Sequence, residues 1–399
     1  MLSGKTVLLG VTGGIAAYKI PNLCSMLVKQ GVNVETILTE NAQKIVSPIP
    51  FESLSGNRVH TDTFDPRDTS RIAHIALARQ ADLLVIAPAS ANILSKLRWG
   101  LADDMLSTTA LACTCKTLLV PAMNTNMYEN PATQENLAVL RSRGFLVMEP
   151  LSGRLACGTV GKGKMPEPED IFARIEAELA CEKDLAGLKL LVTAGPTQEA
   201  IDPVRYITNR SSGKMGYSIA RAAMLRGAEV TLVSGPTALK TPPMVETVSI
   251  RSAGEMFDAV TARAPEMDII IKAAAVADYT PETVADNKIK KSDSDLFIPL
   301  KRTRDILGYL GEHRLPGQTL CGFSMETENM LENSRKKLVK KHLDLIVANN
   351  VKVAGAGFQG DTNVVTMISA EDVRELPLMS KDDVAHAILD RILELRRQG

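Results

Sequence analysis

The sequence has no CxxC pair: its six cysteines are scattered, and only Cys113 and Cys115 lie close together. With five isolated histidines, neither a zinc site nor a disulfide framework is indicated, and a reduced, cytoplasmic compartment is the expectation. No stretch approaches the roughly 18 uninterrupted apolar residues of a membrane span. Residues 1–5 lead straight into a strand-like run, without the charged start and apolar core of a signal peptide. Net charge is missing as well. Lys+Arg and Asp+Glu balance at 46 each, so no global field draws the chain to nucleic acid or to a membrane, and neither is expected as a partner. Charge is local instead, as in the basic stretch 335–342.

What is present fits two soluble domains. The chain has 399 residues, 45% apolar and 23% charged, against roughly 100–200 residues per domain. Residues 6–11 form a continuous apolar run, followed by Gly13-Gly14, a helical pattern through Ile20, Leu23, Leu27 and Val28, and a second strand at 32–39. Helix is expected at 71–80, strand at 82–87 stopped by Pro88, helix at 91–112 broken near Gly100, strand at 117–120, helix at 133–143 and strand at 145–148. Buried parallel strands read as such apolar runs, so the expected fold class is α/β, an open doubly wound sheet. Residues 151–168 carry many Gly and Pro and little periodicity, which marks a functional loop or lid. A helix at 170–180 closes the first domain (1–181), and 182–187 is expected as a linker. A second Rossmann-like domain (188–399) then begins. Its expected strands are 189–194, 229–234, 268–273, 319–324 and 343–347, with helices at 216–226 and 382–396 and a long insertion after the first strand.

In the first domain, Gly13-Gly14-Ile15 joins strand to helix, where small residues let backbone N–H groups approach an anion. The loop lacks a complete GxGxxG, and the second strand ends in Thr39 rather than an acid. That favours a mononucleotide such as FMN over NAD, with Thr39 and Ser47 as further phosphate partners; a plain tight turn remains the alternative. The runs Pro88-Ala89-Ser90-Ala91-Asn92 and Pro121-Ala122-Met123-Asn124 follow strands, His74 lies on a helix, and Cys157 sits in the Gly-rich flap. Singly, each has a structural reading. Together with Arg71-Ile72-Ala73-His74-Ile75 and Gly100-Leu101-Ala102-Asp103-Asp104, they make residues 3–180 resemble the homo-oligomeric flavin-containing Cys decarboxylases, specifically phosphopantothenoylcysteine decarboxylase. That resemblance implies FMN bound by Gly13, Gly14, Ile15, Thr39, Ser47, Pro88, Ala89, Ser90, Ala91 and Ala122. It implies a thiol oxidised to a thioaldehyde, which accepts the electrons left when CO₂ departs. His74 would be the base or thiol-positioning group, Asn124 would grip the substrate carboxylate, and Cys157 would protonate in the final reduction.

The second domain carries Asn209-Arg210-Ser211-Ser212-Gly213-Lys214-Met215-Gly216. This is not a P-loop, since no Gly stands five residues before Gly213 and no Ser or Thr follows Lys214, but it suits an anion. Ala273-Ala274-Ala275-Val276-Ala277-Asp278-Tyr279 ends a strand; Lys288-Ile289-Lys290-Lys291, Thr303-Arg304-Asp305-Ile306-Leu307, Gly322-Phe323, Glu326-Thr327-Glu328 and the Lys337/Lys341 pair follow. Alone, that pair reads as a solvated basic helix face. The ordered set makes residues 187–399 resemble bacterial phosphopantothenate–cysteine ligase. It departs at Lys272, where an apolar residue is common, and after Phe323, where Ala-Ala often follows. The resemblance implies a carboxylate activated as an acyl-cytidylate and then attacked by the cysteine amine, with Mg²⁺, Lys288, Lys337 and Lys341 on the phosphates. CTP would be held by Ala273, Ala274, Asp278, Lys288, Arg304, Asp305, Ile306, Leu307, Phe323, Lys337 and Lys341, while Lys272, the departure, either joins them on the nucleotide or merely caps the strand end. Asp278 would also touch the metal, and Asn209 the intermediate.

The resemblance further implies decarboxylase trimers joined through ligase dimers, a combination that closes into a dodecamer. The competing readings are a flavoprotein regulator of the same fold that has lost chemistry, and a nicotinamide oxidoreductase. Intact His74, Asn124, Cys157, Asn209 and Lys288 speak against the first, and the missing fingerprint and acid against the second.

Overall fold

The computed structural model describes residues 2–65, 72–156, 158–291, 295–325, 329–349 and 360–398. The chain divides into two compact units, Met1–Cys181 and Glu182–Gly399.

In the first unit, β1 (Thr6–Val11), β2 (Asn33–Leu38), β3 (Val59–His60), β4 (Leu83–Ala89), β5 (Lys116–Pro121) and β6 (Leu146–Val147) form one sheet in the order β3-β2-β1-β4-β5-β6. Every pairing in it is parallel. Because strand side chains alternate, β1 supplies both cores. Val7, Leu9 and Val11 pack on one face with Leu23 and Leu27 of helix Ile20–Lys29, and Leu8 packs on the other with Ile93 and Leu106. Burying both faces is why these strands read as unbroken apolar runs.

Two expectations change here. Pro88 does not stop its strand: β4 continues to Ala89, and the ladder with β5 shifts register between Ile86 and Ala89. A residue without an N–H is tolerated where the ladder is already interrupted. The expected loop at 151–168 is an antiparallel hairpin, β7 (Leu151–Arg154) with β8 (Val160–Lys164). Its alternating glycines fit it to its surroundings. A Cβ on Gly161 would meet Thr125 Oγ1 at 2.5 Å, and one on Gly163 would run into the Met123 carbonyl oxygen. The Met123 N–H donates to the Gly163 carbonyl at 3.1 Å.

The second unit repeats the plan. Its strands β9 (Lys189–Ala194), β12 (Glu229–Ser234), β13 (Glu246–Ser249), β14 (Ile269–Lys272), β17 (Thr319–Met325) and β18 (Leu345–Asn349) are parallel, in the order β13-β12-β9-β14-β17-β18. Antiparallel β20 (Val365–Ile368) and β21 (Val373–Glu375) extend the sheet. The insertion after β9 is a hairpin of β10 (Gln198–Ala200) and β11 (Tyr206–Thr208), and β15 (Tyr279–Pro281) pairs with β16 (Leu300–Arg302). A short pair, β19 (Thr362–Asn363) with β22 (Met379–Ser380), precedes the last helix, Lys381–Gln398. Residues 182–187 are not a loose tether. Leu185 is fully buried, and Asp184 pairs with Arg226 at 2.5 Å, so this stretch packs into the second unit.

Candidate functional sites

Both sheets use the order in which the chain crosses from one side of the first strand to the other. That order opens a crevice beyond the strand ends.

In the first unit a cleft of about 620 Å³ occupies the crevice. The turn after β1 forms one wall with Gly13, Gly14 and Ile15; Ser90 and Ala91 come from the end of β4, and Ala122 and Asn124 from the end of β5. The glycines are needed: a Cβ on Gly13 would stand 2.5 Å from Asn41 Cβ, and one on Gly14 3.2 Å from Pro88 Cγ. Thr12 ties the walls together, donating from Oγ1 to the Pro88 carbonyl at 2.7 Å and accepting from the Ser90 N–H at 3.0 Å. Asn124 Oδ1 accepts from the Asn126 N–H at 2.9 Å and so starts the helix Thr125–Glu129. The hairpin closes another side with Arg154, Leu155 and Ala156. Lys19 and Lys164, both on the cleft wall, share Glu167 at 2.6 and 3.1 Å. Those two hydrogen bonds, Lys19 first, hold the Glu167 carboxyl below its ordinary value.

Several expected residues lie elsewhere. Thr39 caps the short helix Glu40–Gln43 by accepting from the Ala42 N–H at 3.3 Å, and neither it nor exposed Ser47 lines the cleft. Pro88 and Ala89 are buried in β4 rather than on the cleft wall. His74 opens the helix Ala73–Gln80, half-buried and away from the wall, and its Nδ1 is buried without a hydrogen-bond partner. Cys157 and Arg71 fall outside the described residues. Arg154 and Lys164 were not expected on this wall, and Tyr18 and Lys19, part of the Gly-Gly-Ile-Ala-Ala-Tyr-Lys turn, were given no role. The glycines at 161 and 163, two apart, were the available signal for the hairpin that brings Arg154 and Lys164.

In the second unit a cleft of about 490 Å³ lies beyond β14 and β17. It gathers Lys272, Ala274, Asp278, Phe323, Lys341 and the run Arg304, Asp305, Ile306, Leu307. Asp305 caps the helix Ile306–Glu312, accepting from the Gly308 N–H at 3.0 Å, and pairs with Lys341 at 3.0 Å. Burial pushes the Asp305 carboxyl up, but those partners outweigh it and hold it below the ordinary carboxylate range. Arg304 stacks over the Phe257 ring at 3.9 Å and pairs with Asp258 at 2.8 Å. Lys272 is buried, with its Nζ 3.5 Å from Met256 Sδ, and burial drives its amine down to about 7. Asp305 opposes that shift and Lys341 adds to it.

Ala273, Lys288 and Lys337 do not line this cleft. Lys288 is exposed, on a loop fixed through its neighbour: the Ile289 N–H donates to Asp202 at 3.1 Å, and Arg205 donates to the Ile289 carbonyl at 2.9 Å. Asn209 clasps the end of β14, its Nδ2 donating to the carbonyls of Ala275 at 3.1 Å and Val276 at 3.2 Å. In the anion-suited loop, Gly213 has φ +78°, and a Cβ on Gly216 would stand 2.6 Å from Ala194 Cβ, so the helix Lys214–Leu225 packs tightly on β9. Glu326, Thr327 and Glu328 lie outside the described residues. Asp278 is exposed, and among the described residues no group of three or more His, Cys, Asp or Glu side chains is placed to hold a metal. Arg302 and Thr303 are additions to the expected set. No helix among the described residues is long and apolar enough to cross a membrane.

Comparison with known proteins covers the whole chain. The Flavoprotein family model matches residues 1–180, and the model for the DNA/pantothenate metabolism flavoprotein C-terminal domain matches 185–395. A coenzyme A biosynthesis bifunctional protein CoaBC of Bacillus subtilis is 50% identical over 402 residues, which is 100% of this chain and 99% of that protein. Its namesake in Escherichia coli K12 is 42% identical, over 98% of this chain and 97% of that one. The crystal structure of the C-terminal domain of a CoaBC protein is 46% identical with a TM-score of 0.47, covering 54% of this chain and 98% of its own. A structure described as the FMN binding protein AtHal3 is 34% identical with a TM-score of 0.38, covering 43% and 94%.

Proposed function

Because the chain belongs to the family of bifunctional coenzyme A biosynthesis proteins, joining a flavoprotein decarboxylase unit to a ligase unit, we propose that it makes and then decarboxylates one intermediate. The second unit joins 4'-phosphopantothenate to cysteine with CTP and Mg²⁺. The first unit converts the resulting 4'-phosphopantothenoylcysteine to 4'-phosphopantetheine with FMN. The observation that carries this reading is the pair of strand-end clefts, each holding its own set of charged and small residues on one unbroken chain.

The first cleft fits a flavin mononucleotide. Gly13 and Gly14 line the cleft and pack closely against Asn41 and Pro88 behind it, and Lys19, Arg154 and Lys164 supply positive charge for a phosphate. When bound, FMN supplies the oxidation of the cysteinyl thiol and the later return of a hydride equivalent. Asn124 stands on the wall where a substrate carboxylate would be gripped. Cys157, in the same hairpin segment by sequence, is the proton donor of the last step. His74 is the base; it is not on the cleft wall of its own chain, and a second copy would bring it to a neighbouring cleft. Support for such assembly is the exposure of Ile15, Tyr18 and Met127 at this cleft, at 62%, 62% and 50%. Trimers of the first unit linked through dimers of the second would give a closed dodecamer.

In the second cleft the triphosphate lies toward the exposed side chains of Arg302, Arg304 and Asp278. Asp278 suits a magnesium held mainly by substrate phosphates, which asks little more of the protein than one carboxylate. Lys341, on the cleft wall, offsets charge developing on the departing pyrophosphate, and we assign Lys288 and Lys337 to the same charge although neither lines the cleft. Asn209 orders the end of β14 beside the activated carbonyl, consistent with its clasp on Ala275 and Val276. The full chain, supplied with 4'-phosphopantothenate, cysteine, CTP and Mg²⁺, should release pyrophosphate and CO₂ in equal amounts and show the yellow spectrum of bound oxidised FMN. Pyrophosphate release that needs no CTP, or a colourless active protein, would overturn the reading.

A further inference from the structure

We propose that Lys272 reads the base of the nucleotide, its Nζ on the closed floor of the second cleft donating a hydrogen bond to the ring carbonyl of a pyrimidine. This rests on the proposed ligase function and makes it more specific.

The cleft has a polarity. Its exposed rim carries Arg302, Arg304 and Asp278, which suit phosphates and a metal in water. Its buried end carries Ile306, half-buried Leu307 and Phe323, and Lys272. A triphosphate is costly to strip of water, whereas a planar base gains from leaving it, so the base belongs at the buried end. There, among the described residues, Lys272 Nζ meets the Met256 thioether at 3.5 Å, a weak acceptor. A buried donor so poorly met is costly, and a ligand bringing a carbonyl oxygen relieves that cost. Pyrimidine nucleotides carry a ring carbonyl beside the glycosidic bond, and adenine has no carbonyl at all. A site that counts on such an acceptor rejects a base lacking it more strongly than an apolar pocket could.

The charges around the amine link this contact to protons. Asp305 favours the ammonium and Lys341 disfavours it, and the neutral Met256 thioether lies 3.5 Å from the amine. Burial leaves the amine with a value of about 7, so it is largely neutral at pH 8. Hydrogen bonding to a nucleotide favours the ammonium, and binding should then draw in a proton.

The test is calorimetry on the full-length protein with CTP and Mg²⁺ at pH 8, in buffers of differing ionisation enthalpy. Wild type should take up a substantial fraction of one proton. Lys272→Met should take up none and bind CTP roughly 10- to 100-fold more weakly, the range for a hydrogen bond to a charged donor. Its preference for CTP over ATP should shrink by a similar factor. Lys272→Gln, a neutral donor, should recover part of the affinity without the proton. If wild type and Lys272→Met bind CTP equally with equal proton uptake, the inference is overturned and the ligase reading stands. If wild type binds no nucleotide, both are overturned.

Discussion

Replacing Lys272 with Met should stabilise the second unit, and by an amount that depends on pH. The amine falls from an ordinary 10.5 to about 7 because burial disfavours its charge. At about 1.4 kcal/mol per pH unit, the native state forfeits up to about 5 kcal/mol when the unfolded chain keeps its ammonium. Between pH 7 and 10.5 the unfolded chain holds more protons than the native one, so wild-type stability rises with pH across that window. Below it the full penalty stays. Methionine has nothing to titrate and suits the apolar side of the site, near Met256, Ile306 and Phe323. After allowing for imperfect packing, a gain of about 2–4 kcal/mol at pH 7 is expected, most of it gone by pH 10. Urea-dependent hydrogen exchange at Ile269, Ile270 and Ile271 in the full-length protein reads this on the strand itself and avoids assuming that two units unfold together. A variant less stable than wild type at pH 7, or a gain that does not change with pH, would refute the reasoning.

Other outcomes follow from the same description. Gly163→Ala should push the hairpin off the Met123 carbonyl and weaken flavin retention at least 10-fold in an absorbance titration; unchanged retention would mean the hairpin moves freely. His74→Asn should keep its flavin and lose decarboxylation by roughly 10²-fold or more, as for removal of a general base; loss of flavin instead would make the residue structural. Cys157→Ser should still release CO₂ but stop short of the reduced aminothiol, and a normal product yield would exclude it as the proton donor. Lys288→Gln should slow ligation while leaving decarboxylation of supplied 4'-phosphopantothenoylcysteine unchanged in the full chain. Loss of both activities in a folded protein would show that the two sites are coupled.

Much of the fold was legible where a single physical rule governs. Strands β1, β9 and β12 match their expected limits residue for residue, because parallel strands covered on both faces are rich in apolar residues and are bounded by the glycine and polar turns that flank them. The helix Ala253–Arg263 was overlooked although Ser252, with Glu255 three residues on, is a capping signature; Ser252 Oγ indeed accepts from the Glu255 N–H at 3.1 Å. Pro88 was misread because its tolerance depends on a register shift between two strands, which no local pattern carries. At the candidate sites, the small residues after strands were found, since topology alone puts strand ends at the crevice. Arg154 and Lys164 were not, because they reach the cleft only through the hairpin fold, and Lys19 was not singled out because its tie to Glu167 joins residues 148 apart in the chain. Lys272 stood out in the sequence only as an odd residue at a strand end; its environment is a tertiary fact.

The spacing of Gly161 and Gly163 also sets how the hairpin tolerates insertions and deletions. Both face the segment from Met123 to Thr125, where no side chain fits. One residue inserted between that contact and the helix Pro168–Leu179 would turn Lys162 and Lys164 inward in place of the glycines, and one deleted would turn Val160 and Lys162 inward. Two residues gained or lost would restore the parity and bring at least one glycine back to the contact. Length can therefore drift in single steps at the tip of the hairpin, but at its base only in twos.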